Sequence, residues 1–197
     1  MFVPAKISQK ILVKEKSRFI ALALPFTNVK NLDIELAKVK KEYPKASHYL
    51  YAYKVKEIMK GNNDQEPGNI SQTFLSLINQ YELDEILIIV VRYFGGVKLG
   101  ASNLLRTYHE VVNELLKSID KREKSEVYQY HFSCDYATFN KIKRLGYFIE
   151  NVRYFDTIEI DIISKVDILS SFKELKIKDI QVEMVERVIN ERQNKKK

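Results

Sequence analysis

Apolar and polar positions repeat along this chain with two periods, and the switches between them outline its elements. Residues Lys6–Lys14 and Ser17–Leu24 read as two strands, the second closed by Pro25. From about Val29 to Glu42 the spacing is helical, with Leu32, Leu36 and Val39 on one face and Pro44 as the stop. "SHYLYAYKV", Ser47–Val55, is rich in aromatic and β-branched residues and predicts a strand. A turn-rich loop, Lys60–Asn69, carries Asp64, Glu66 and Pro67. Then follow an expected helix over Ile70–Tyr81, a buried strand over Glu85–Tyr93 and an amphipathic helix over Ser102–Ile119. The apolar positions of that last helix include Leu104, Tyr108, Val111, Val112 and Leu115. This order predicts helices stacked on one face of a mixed sheet.

The periodicity breaks at "DKREKSE", Asp120–Glu126, where six of seven residues are charged. Beyond it the pattern predicts a strand over Val127–Cys134 and a helix capped by Asp135 and closed by Gly146. Strands over Tyr147–Phe155 and Thr157–Ser164, a helix near Val166–Leu175 and a strand near Ile180–Val188 follow. That order, βαββαβ, is the ferredoxin-like plan, which hosts too many functions to name one. The expected organisation is an α+β chain in four parts. They are an N-terminal domain (1–120), a charged linker (121–126), a ferredoxin-like domain (127–189) and a basic tail (190–197).

Composition narrows the class. The 197 residues are 45% hydrophobic and 30% charged, ordinary values for a soluble globular protein. The apolar runs, Ile86–Val91 among them, are strand-sized, and Phe19–Leu24 is too short for a secretory signal, so no membrane partner is expected. A single cysteine, Cys134, excludes an intrachain disulfide and suits a cytoplasmic location. The net charge is +7, and residues 1–125 carry 20 Lys and Arg against 14 Asp and Glu. The basic character thus belongs to the first part of the chain, where it is compatible with a polyanion partner. From charge alone, lysine on a solvated face with no specific task explains it better.

The chemistry concentrates in "VVRYFGGVKLGAS", Val90–Ser102, where an apolar strand runs through glycines into a helix. Gly95, Gly100 and Ser102 have the spacing of a P-loop, but Ala101 stands where its lysine belongs, which argues against nucleotide hydrolysis. What remains is a turn able to bring backbone N–H groups and a helix N-terminus to an anion. Gly95, Gly96, Gly100 and Ser102 would form it, with Arg92, Lys98 and Arg106 beside it. A tight turn packed on Tyr93 and Phe94 is the plainer alternative. His48, Asp64, Glu66 and His109 have metal-ligand chemistry, but a surface histidine and a solvated acidic turn explain them better, and no metal or cofactor is expected. Tyr49, Tyr51 and Tyr53 share one strand face, either stacked on unpaired bases or packed as core. No Ser-His-Asp or Cys-His arrangement is present.

"RYFGGVKLGASNLLRTY", Arg92–Tyr108, resembles the signature of the YigZ/IMPACT family, R-Y-F-G-G-x-x-L-G-x-G-G-L-x-R-A-Y. "KSRFIA" (Lys16–Ala21), "SHYLYAY" (Ser47–Tyr53, with His48, Ala52 and Tyr53) and "NDQEP" (Asn63–Pro67) are similar to three further family segments, the last to an acidic D-D-G-E-P loop. The resemblance implies an N-terminal two-layer α/β domain similar to domain 2 of ribosomal protein S5 and a ferredoxin-like C-terminal domain. It also implies a role near RNA, with translation regulated through protein partners in eukaryotic members, and no established catalytic residue. The chain departs from the pattern at Ser102 and Asn103, at Asn63 and Gln65, and in "GNISQ". The leading expectation is therefore a non-catalytic protein associated with RNA or the ribosome. An enzyme acting on a phosphorylated small molecule through His48, Asp64 and Glu66, or a protein-partner adaptor, are the alternatives.

Overall fold

The run Ile86–Val91 has no polar face, so a strand built from it needs cover on both sides. The computed structural model describes residues 1–189 and divides the chain into two units, Met1–Arg122 and Glu123–Lys197. The first unit contains β1 (Phe2–Pro4), β2 (Ser8–Lys14), β3 (Ser17–Pro25), α1 (Leu32–Glu42), β4 (His48–Val55) and β5 (Ile58–Asn62). It continues with α2 (Ile70–Gln80), β6 (Ile86–Tyr93) and α3 (Ala101–Ser118). The sheet order is β2-β3-β6-β4-β5, which puts the apolar strand in the middle.

Period two then sorts the side chains. Ile86, Ile88 and Val90 pack with Phe19, Leu50 and Ala52 under α2 and α3. Leu87, Ile89 and Val91 pack with Ile20, Tyr53 and Val39 of α1 on the opposite face. Two expectations are corrected here. Helices cover both faces rather than one, and every pairing in this sheet is antiparallel rather than mixed. The α+β class stands. Tyr49, Tyr51 and Tyr53 pack against the α1 layer, the Tyr51 and Tyr53 rings stacking 6.5 Å apart. Residues Lys60–Asn62, expected as loop, are the end of β5.

β7 (Lys121–Cys134) opens in the last two residues of the first unit and continues into the second, which goes on with α4 (Tyr136–Leu145), β8 (Phe148–Tyr154), β9 (Ile158–Ser164) and β10 (Ile177–Ile189). β7 pairs with β9 and β10, and β9 with β8, all antiparallel, so the order is β10-β7-β9-β8. Asp135 caps α4 by accepting from the Thr138 N–H at 2.7 Å, and Gly146 closes it in the left-handed region. Residues 121–126 form the start of β7, and Glu123–Glu126 pair with β10. The helix expected near Val166–Leu175 is a single 3-10 turn, Leu169–Phe172. Asp167 accepts from the Leu169 N–H at 2.9 Å, and two serines follow, so local side-chain bonding competes with helix propagation. The tail expected at 190–197 lies outside the described residues.

Between β6 and α3, the Gly95 N–H donates to Ser17 Oγ at 3.1 Å. A Cβ on Gly95 would lie 2.0 Å from the Lys16 carbonyl carbon, so only glycine lets this turn rest on the β2–β3 hairpin. Gly95→Ala is expected to destabilise the protein by about 1–3 kcal/mol. Urea unfolding followed by circular dichroism checks this, and an unchanged midpoint would refute the close approach.

Candidate functional site

His48 and Arg92 stand opposite each other where β4 pairs with β6. Both share the parity of the residues that face α2 and α3, so both side chains turn toward α3 at the sheet's end. Arg92 is buried, 6% exposed, with its guanidinium 5.4 Å from the Phe19 ring centre and 5.5 Å from that of Phe94. Its Nη1 donates to Glu66 Oε1 at 2.5 Å, and the Tyr108 hydroxyl donates to the same oxygen at 3.0 Å. Burial, and then the Glu66 carboxylate, push the Tyr108 phenol far above its ordinary range, so it remains a donor. His48 Nε2 lies 3.6 Å from Glu66 Oε1, beyond hydrogen-bond reach.

The acidic loop that delivers Glu66 is held by its own asparagines. Asn62 Oδ1 accepts from the Asp64 N–H at 2.7 Å, Asn63 Oδ1 accepts from the Ser71 N–H at 2.7 Å, and Asn63 Nδ2 donates to the Gly68 carbonyl. Asp64 Oδ2 accepts from the Tyr49 N–H at 2.7 Å, and His48 Nδ1 donates to the Asp64 carbonyl at 2.9 Å. Asp64 and Gln65 both adopt positive φ, 47° and 66°. Asn63 and Gln65, the departures from the D-D-G-E-P pattern, therefore sit in an ordered loop. Gln65 occupies the left-handed position that a glycine would take without strain.

Above this floor α3 begins at Gly100, whose φ of 75° and ψ of 153° belong to a region that glycine alone enters readily. Among the described residues no side chain caps the helix, and its first turn has no acidic residue. The first N–H groups of an α-helix have no partner within it, and here they start at a cleft of about 400 Å³. Arg92, Glu66 and His48 line the cleft, with Phe94, Leu99 and Leu104 as apolar wall and Lys98 and Gly100 at its edge.

The structure thus brings Arg92, Lys98, Gly100, His48 and Glu66 to one cleft. Gly95, Gly96, Ser102, Arg106 and Asp64 do not line it: Gly95 packs on the hairpin, Ser102 and Arg106 are exposed on α3, and Asp64 braces β4. Arg92, expected as a cation beside an anion, has its charge matched by Glu66, so Lys98 is the exposed cation of the cleft. His109 is exposed on α3, and among the described residues no group of three His, Cys, Asp or Glu side chains could hold a metal. Sequence reasoning misses Tyr108 and Phe94 as site residues. In the sequence Tyr108 belongs to the α3 apolar stripe, and Phe94 reads as packing beneath the turn.

Residues 15–116 match the model of the Impact N-terminal domain. The chain is 30% identical over 168 residues to the IMPACT family member YvyE of Bacillus subtilis (strain 168), covering 81% of this chain and 77% of that protein. A crystal structure of a hypothetical protein superposes with a TM-score of 0.61 at 22% identity, covering 96% of this chain and 97% of the other, a likeness of fold. The structure of Yih1, a two-domain translational regulator, matches at a TM-score of 0.34 and 18% identity over 57% of this chain and 46% of that one, too slight to bear on function.

The buried ion pair makes a stability prediction. Arg92→Ala leaves the Glu66 carboxylate, 4% accessible at its side chain, without its cation, and is expected to cost about 3–5 kcal/mol. Replacing both residues with apolar ones of similar size should recover most of that. A double-mutant cycle by chemical denaturation reads the coupling, and additive losses would refute it.

Proposed function

Because the chain belongs to the IMPACT family, we propose that it acts in translation as a non-catalytic protein that binds RNA, free or within the ribosome, through the β6–α3 turn. The observation that carries this reading is the uncapped start of α3 at the cleft edge, with Lys98 beside it and Arg106 about one turn in. Backbone N–H groups and the positive end of the helix dipole suit a phosphate there. The excess of Lys and Arg over Asp and Glu in the first 125 residues supports a polyanionic partner. A cytoplasmic setting goes with this role; among the described residues no helix is long and apolar enough to cross a membrane.

Enzymatic use of the acidic loop is the weaker reading. A general acid or base needs a group free to take or give a proton. Glu66 is occupied by Arg92 and Tyr108, and Asp64 by the Tyr49 N–H, which supports a bracing role for both. A protein-partner adaptor would use exposed surface and leave the cleft idle.

Titrating structured RNA at several salt concentrations tests the proposal. Log affinity should fall linearly with log salt, and Lys98→Ala with Arg106→Ala should reduce the slope by roughly 0.7–1 for each phosphate no longer neutralised. An affinity indifferent to salt, or an unchanged slope in the double variant, would count against the turn as the phosphate site.

A further inference from the structure

The cleft is more than a place for a phosphate, because most of its wall is apolar. Phe94 is 47% exposed although its ring is held 5.5 Å from the Arg92 guanidinium, so an aromatic surface is presented at the opening. Leu99 and Leu104 extend that surface, and the floor carries charge that is already balanced. Among the described residues none accepts a hydrogen bond from the buried Arg92 Nε, and the side chain is only 7% accessible. A buried donor left without a partner is costly, and such groups mark places where a ligand or water completes the bonding. The volume, about 400 Å³, lies in the range of small-ligand pockets.

Resting on the RNA-binding reading above, we propose that the cleft takes one unpaired nucleotide of single-stranded RNA. The base stacks against Phe94 between Leu99 and Leu104, and its polar edge meets the Arg92 and His48 nitrogens. Its phosphate lies at the first N–H groups of α3 beside Lys98. Three features match one another in this occupant: an aromatic wall for a π-face, a donor (Arg92 Nε) and an imidazole nitrogen (His48 Nε2) at the floor for the polar edge of a base, and a positive edge for the phosphate. A duplex offers the phosphate but keeps its bases stacked and paired, so it can use the edge of the site and not its interior.

Fluorescence anisotropy of the full chain with a labelled single-stranded RNA of about 12 nucleotides, and with the matching duplex at the same salt, tests this. The single strand should bind on the order of tenfold more tightly than the duplex. Phe94→Ala should remove that advantage. So should Ala101→Trp, which fills the cleft from an exposed position without removing a cation, and which keeps the test decisive if Phe94→Ala unfolds. Equal binding of single strand and duplex, or full single-strand affinity in the folded variants, overturns the nucleotide pocket while leaving RNA binding intact. No salt-dependent RNA binding by the wild-type chain fails the reading beneath it as well.

Discussion

The ion pair between Glu66 and Arg92, roofed by the Tyr108 hydroxyl, is the constraint on which the N-terminal site depends. A carboxylate and a guanidinium out of water must satisfy each other, because neither is stable alone in that position. Their pairing ties three distant parts of the chain to one point: the loop after β5, the end of β6 and the middle of α3. It also fixes the electrostatics above it. With Arg92 matched by Glu66, the proposed hold on an anion rests on Lys98 and the start of α3, not on the residue that looks most cationic in the sequence.

Around this pair the loop and turn are braced by local contacts. Side-chain amides of Asn62 and Asn63 substitute for backbone partners, and Asp64 ties the loop to β4 through the Tyr49 N–H. On the other side, Gly95 lets the turn sit directly on the hairpin, and Gly100 takes the backbone angle that starts α3 without a capping side chain. The positions that look like a phosphate cradle thus divide their work. Gly95 serves packing, and Gly100 serves the helix start.

Much of this is legible in the sequence. Period two places the tyrosines of β4 on one face, and the same parity puts His48 with Leu50 and Ala52, hence toward Arg92 across the strand pair. The apolar run Ile86–Val91 announces a covered strand, although its cover by α1 on one side and by α2 with α3 on the other is two-sided where one face was expected. What periodicity cannot reveal is pairing between distant polar groups. Glu66 reads as a solvated acid because its neighbours in sequence are turn formers, and only tertiary structure buries it. Six charges in seven residues read as a linker, yet an antiparallel partner strand makes part of them β7. A helical pattern near Val166 yields to Asp167, whose carboxylate takes the Leu169 N–H instead.

An RNA phosphate docking at the start of α3 is the proposal on which the functional reading stands. Titrating backbone-labelled protein with a short single-stranded RNA, and following amide chemical shifts by NMR, tests it most directly. Saturable shifts are expected in the amides of Lys98 through Asn103, with smaller effects at His48 and Phe94. Shifts that leave these amides unmoved and fall elsewhere, for example in the second unit, would contradict it.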